Sequence, residues 1–161
     1  MNRTDASSHI EPSASSRRAL AALFLRIVLG AGFLSAVADR FGIWGQAGTP
    51  SVAWGNFQNF LTYAASLNPW CPARFIPVLG WITTLAETVL GVALILGIQM
   101  RITALLSGVL TLLFALAMTF TLGIEAPLSY SVFVCSGGAF LLAACGSDRW
   151  SLGSLMKGTR Q

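Results

Sequence analysis

The chain has 161 residues, 55% of them apolar and only 10% charged, where an ordinary soluble domain is roughly a quarter charged. With a mean hydropathy of +0.70, that balance argues against a water-soluble globule and for an integral membrane protein. The formal charge of +4 comes from basic residues scattered near the ends of apolar runs. A nucleic-acid surface needs a basic stripe with stacking or base-reading side chains, so that class of partner is set aside.

Residues 1–18, Ser-rich and poor in apolar side chains, are expected to form a flexible tail. The first apolar run extends from Ala19 to about Ala38 with Arg26 inside it, long enough to cross a hydrocarbon layer of roughly 30 Å as a helix. A secretory signal is the rival reading, because Arg17 and Arg18 precede the run and Ala36-Val37-Ala38 resembles a cleavage site. The run is longer than the h-region of a signal and is interrupted by Arg26, so retention is expected.

The connection over about 39–78 is too long for a simple turn. Within it NFQNFLTYAASLN places Phe57, Phe60, Leu61 and Ala64 on one helical face, which predicts a short interfacial helix; an irregular cap is the alternative. Asn68-Pro69-Trp70-Cys71-Pro72 ends that helix, and Pro77 turns the chain into the next crossing.

The second spanning run covers about Val78 to Ile98, with Glu87 near its middle, and the third Ile102 to about Ile124, with no ionisable residue. Pro127 can start a fourth, reaching Gly146. The expected fold is therefore all-α: a four-transmembrane-helix bundle over 19–146, with a long outer loop carrying the interfacial helix, and a second tail over 147–161.

Four crossings put both termini and the Gln99-Met100-Arg101 turn on one side. That side gathers seven basic residues, Arg3, Arg17, Arg18, Arg101, Arg149, Lys157 and Arg160, against Arg40 and Arg74 opposite, which predicts cytoplasmic termini. Trp44, Trp54, Trp70 and Trp81 fall on the outer side and Trp150 at the inner edge, as indole rings at headgroup level should.

Arg26 and Glu87 are the candidate site residues inside the apolar layer, where isolated charge is expensive. Counting about 1.5 Å per residue from the two helix ends leaves an axial gap on the order of 9 Å between them. A shared polar network is expected, either a structural pair or the floor of a ligand or proton site; a protonated Glu87 is the alternative. RIVLGAGFL, beginning at Arg26, and ETVLGVALIL, beginning at Glu87, share a Val-Leu-Gly step, which is either a trace of an inverted helix pair or coincidence.

Thr83 or Thr84 can offer a hydroxyl on the Glu87 face. Thr103, Ser107 and Thr111, and the slender Ser136-Gly137-Gly138, read chiefly as close-packing positions. Arg40, Trp44, Tyr63 and Trp81 either frame an entrance for an aromatic or quinone-like molecule or form the usual interfacial belt. Cys71, Cys135 and Cys145 form no close pair and His9 lies in the tail, so no metal site is expected and free thiols are the simpler reading. Glu125 and Asp148 read as solvated helix ends.

Over approximately residues 20–146 the chain resembles the DoxX/DoxD-like family of small membrane proteins. The resemblance rests on Arg26 and its Gly-rich helix, on Asp39-Arg40, and above all on LAETVLGVALILGIQMRITALLSG at 85–108, with its E-x-x-x-G and L-x-L-G-x-x-x-R spacings. It implies a four-helix bundle in a bacterial cytoplasmic membrane. It also implies a membrane subunit or accessory component of a quinone-linked redox system, with Arg26, Arg40 and Glu87 as the positions at which a quinone cofactor would be sought. The expected partners are membrane lipid and either a redox protein or further copies of the chain. A noncatalytic scaffold or assembly factor and a small-solute transporter are the competing functions, and no thiosulfate-oxidation motif or redox-metal ligand set is evident.

Overall fold

The computed structural model describes residues 14–145. Expectations for the outer parts of the two tails, and for Arg3, His9, Asp148, Arg149, Trp150, Lys157 and Arg160, lie outside the described residues. Within them the chain is all-helical. The order is α1 (Ala14–Arg40), α2 (Phe57–Leu67), a 3₁₀ turn at Ala73–Phe75, α3 (Ile76–Leu96), α4 (Met100–Leu122), α5 (Glu125–Ser129) and α6 (Val132–Cys145).

Three of these helices are long and apolar enough to cross a membrane: α1, α3 with its preceding turn, and α4. The expected fourth crossing differs. Its run divides into α5 and α6 at Ser131, which takes a left-handed φ of 56°. Ser131 closes α5 by donating its backbone N–H to Leu128, then opens α6 by accepting from the Cys135 N–H. At 1.5 Å per residue, the 14 described residues of α6 span about 21 Å, and with α5 they approach a 30 Å layer. Pro127, expected to start this crossing, sits inside α5 with its ring fully buried. At the other end, α1 begins at Ala14, five residues before the expected start, so residues 14–18 are helix and not tail.

The long helices pack in a ring: α1 against α3, α3 against α4, α4 against α6, and α6 back against α1. Polarity is arranged for lipid. Phe24, Ile82, Leu85, Val89, Leu113, Phe120, Val134 and Leu141 face outward, whereas Arg26, Thr84, Glu87, Thr103, Ser107, Thr111 and Ser136 are buried between helices. The buried hydroxyls are satisfied by backbone: Ser107 donates to the Thr103 carbonyl, Thr111 to that of Ser107, and Ser136 crosses from α6 to the Gly108 carbonyl on α4. Their interior role is thus close packing with the hydrogen bonds made locally, as the small-residue pattern predicts.

Two helix-to-helix contacts set the geometry. A Cβ on Gly30 would lie 2.7 Å from the Gly91 carbonyl oxygen, and one on Gly91 would lie 3.1 Å from the Gly30 oxygen. The antiparallel α1 and α3 therefore touch backbone to backbone at these glycines, which fixes their register. On the other pair, Phe140 of α6 lies over Gly108 of α4.

The α2 helix forms where its apolar face predicts, capped by Asn56, whose side-chain oxygen accepts from the Asn59 N–H at 2.8 Å. Phe60, Ala64 and Leu67 are buried against the ends of α3, α4 and α1. This end of the bundle, which carries the connection from 41 to 75, is the loop end. The opposite end, where α1 begins and α6 finishes, is the terminal end.

Candidate functional site

Glu87 is buried to 2% exposure, and its ion-pair partner is Arg40, also 2% exposed, with Oε2 2.6 Å from Nη2. The contact is a close ion pair and not an aligned hydrogen bond. Nη1 of Arg40 donates to the Thr84 hydroxyl at 2.8 Å, and that hydroxyl donates in turn to the Gly80 carbonyl. Thr84 thus serves Arg40, where the helical spacing predicts a hydroxyl offered to Glu87. The guanidinium is covered by aromatic faces, 3.9 Å from the ring centroid of Phe60 and 5.4 Å from that of Trp54. A cation shielded from water in this way gains more from a ring face than an exposed one does.

The expected pairing of Glu87 with Arg26 is corrected by this geometry. Gly30 meets Gly91, so Glu87, four residues before Gly91 on α3, lies about 6 Å toward the loop end from that contact. Arg26, four residues before Gly30 on the oppositely directed α1, lies about 6 Å toward the terminal end. Their axial separation is about 12 Å. Side chains also lean toward the N-terminus of their own helix. Glu87 accordingly leans to the loop end and Arg26 to the terminal end, so the two diverge. Arg40 lies beyond Glu87 on α1 and leans back toward it, and the two converge. Arg26 is buried in the terminal half of the bundle, apart from this cluster.

Asp39, next in sequence to Arg40, is buried as well and holds the loop. Its Oδ2 accepts from the backbone N–H of Ala53 at 3.1 Å and of Trp54 at 2.9 Å. The carboxylate thereby seats Trp54 over its neighbour's guanidinium. Gly55 follows, with φ of 67°, pressed so closely on the backbone of Ala47 that a Cβ has no room. Asp39 and Arg40, both buried at the end of α1, together anchor the loop.

The aromatic rings form one connected group. Phe57 stacks on Phe41 with centroids 5.9 Å apart, tilts against Trp81 at 4.6 Å, and meets Phe60 at 5.7 Å; Phe60 meets Trp54, and Trp54 meets Tyr63. Burial first, and the nearby Tyr130 second, push the Tyr63 hydroxyl above its ordinary value. Of the expected entrance set, Arg40, Tyr63 and Trp81 do lie in or beside this group. Trp44 stands apart and donates its indole N–H to the Ser35 carbonyl. Phe60 and Trp54, which the sequence reading did not single out for Arg40, close the site over it.

Nε of Arg40 and Oδ1 of Asp39 are buried without a hydrogen-bond partner among the described residues. Glu87 Oε2 likewise makes only the ion-pair contact, so the cluster holds one donor and two acceptors without an aligned hydrogen bond. The three cysteines are free, and no cluster of three or more potential metal ligands occurs among the described residues.

Comparison of the chain with protein-family models, with curated proteins and with solved structures finds no match.

Proposed function

We propose that the protein is a DoxX/DoxD-like four-helix integral membrane protein, acting as a membrane subunit or accessory component of a quinone-linked redox system whose electron-transfer chemistry a partner supplies. The observation that carries the proposal is the Arg40–Glu87 pair, buried between the end of α1 and the middle of the apolar α3, with Trp54 and Phe60 over the guanidinium. A charge cluster at that depth is costly and marks a functional position in a membrane protein by default. The free Nε–H of Arg40 is a suitable donor for a carbonyl oxygen of a planar ring, and the surrounding aromatics suit the ring itself. Arg40 and Glu87 are the binding candidates that this cluster supports; Arg26 is buried in the terminal half.

A second reading, a noncatalytic scaffold or assembly factor, is favoured by the same cluster's closure: the guanidinium is covered by the chain's own rings and already engaged by Glu87 and Thr84. Leu94, Ala104 and Ala139 fill the bundle interior without exposure, which favours holding a partner over conducting a solute.

Purification in mild detergent, followed by intact-complex mass spectrometry and quinone extraction, distinguishes these. A redox partner with stoichiometric quinone is the expected result, and loss of quinone in Arg40→Gln with the partner retained would place it at the cluster. Partner without quinone supports the scaffold. A lone chain carrying neither overturns both.

In this proposal α5 and α6 together make the fourth crossing and both termini are cytoplasmic, consistent with the seven-to-two distribution of basic residues. Single cysteines introduced at Ser8 and Ser51 in a Cys-free background are expected to react with impermeant probes from opposite faces, Ser8 from the cytoplasm. Labelling of both from one face would remove the topology.

A further inference from the structure

The charges of the described bundle are unevenly divided between its ends. Of the described carboxylates, Asp39 and Glu125 lie at the loop end, where Arg40 and Arg74 also lie, and Glu87 is at the middle of α3, paired with Arg40. The terminal end carries Arg17, Arg18, Arg26 and Arg101 and no carboxylate among the described residues. Arg101, the second residue of α4, is exposed and takes part in no ion pair within them.

Beside Arg101 is a groove of about 260 Å³ lined by Arg101 and Leu105 of α4 and by Phe140, Ala143 and Ala144 of α6. Its origin is local. Ala143 and Ala144 present only methyl groups along the last turn of α6, while Phe140, seated on Gly108, closes the deeper end. Leu105 lies one turn inside Arg101, about 6 Å farther from the bundle end. The groove therefore has a cation at the level where α4 begins and apolar walls below it, the polarity sequence of a phospholipid read from headgroup to acyl chain. A soluble anion gains nothing from those walls, and an uncharged lipid nothing from Arg101.

We propose that the groove between the first turns of α4 and the last turns of α6 seats an anionic phospholipid, its phosphate against Arg101 and the upper part of one acyl chain along Leu105, Phe140, Ala143 and Ala144. The site is separate from the Arg40–Glu87 cluster, at the opposite end of the bundle, and stands whether or not that cluster binds a quinone.

The test uses the full chain in nanodiscs holding equal amounts of dioleoyl phosphatidylglycerol and dioleoyl phosphatidylcholine, released into detergent for native mass spectrometry of the retained lipid. The wild type is expected to retain phosphatidylglycerol preferentially. Arg101→Gln reduces that preference about fivefold, the weight of one basic residue at an anionic surface, and Arg101→Lys keeps it. Ala144→Phe, at an exposed position, fills the groove and lowers retention of bound lipid with Arg101 intact. An unchanged preference in Arg101→Gln overturns the proposal. So does a preference lost in Arg18→Gln but not in Arg101→Gln, which assigns binding to the α1 end. If millimolar inorganic phosphate displaces the lipid and Ala144→Phe has no effect, the site binds free anions and the proposal fails.

Discussion

Glu87→Gln is expected to cost about 3–5 kcal/mol of stability, the price of leaving one member of a buried ion pair without its counter-charge. Arg40 has no other carboxylate paired with it among the described residues, and the rings of Phe60 and Trp54 that cover it keep water from replacing the lost partner. The loss is specific to the pair. Arg40→Gln combined with Glu87→Gln removes both charges, and the double variant should be considerably more stable than the sum of the two single effects predicts, with a coupling of about 0.5–3 kcal/mol as found for residues in direct contact. The parallel cycle between Arg26 and Glu87 should show little coupling across about 12 Å, since sites that far apart are usually close to additive. Thermal unfolding in one detergent, with helix content as the readout, measures all of these. Strong coupling of Glu87 to Arg26 and none to Arg40 would overturn the assignment.

The difference between the expected and the observed partner of Glu87 shows what was legible in the sequence and what was not. Spanning lengths came directly from apolar runs, and α2 from the spacing of Phe57, Phe60 and Ala64, because both depend on local periodicity. That Arg26, Arg40 and Glu87 deserved attention was equally visible. Which charges meet depends on register, a long-range quantity, yet part of it was written in the shared Val-Leu-Gly step. In antiparallel helices that touch at Gly30 and Gly91, a charge four residues before each glycine must fall on opposite sides of the contact. The repeat that suggested a relation between Arg26 and Glu87 is thus the feature that separates them. The lean of side chains toward the helix N-terminus then selects Arg40. The covering of Arg40 by Trp54 was not legible: it depends on Asp39 accepting from amides 14 and 15 residues away, and no local pattern announces such a bond. The break at Ser131 was hidden because the uncharged run from Pro127 to Gly146 continues through it and Ser129-Tyr130-Ser131 contains no Gly or Pro to mark a turn.

Gly30→Ala is expected to lower stability by about 1–3 kcal/mol, although alanine is the better helix former. The added Cβ would meet the Gly91 carbonyl oxygen at 2.7 Å, Ile95 at 2.8 Å and Leu94 at 3.2 Å. Ile95 can rotate, but a backbone carbonyl in the middle of a helix cannot, so α1 and α3 must move apart. Gly32, two residues along the same helix, supplies the control, because a Cβ there meets nothing within 4 Å. Gly32→Ala should therefore be neutral, or stabilising by up to about 1 kcal/mol from helix propensity alone. The opposite signs at two glycines of one helix separate crowding from propensity. Gly30→Leu, which wedges the helices farther, should also weaken the Arg40–Glu87 coupling, since the two side chains converge across this same interface and an ion pair depends steeply on distance in a low-dielectric interior. A repeat of the Arg40/Glu87 double-mutant cycle in the Gly30→Leu background reads that link directly. Reduced coupling is the expected result, and equal destabilisation by Gly30→Ala and Gly32→Ala would show that the glycine contact does not set the register.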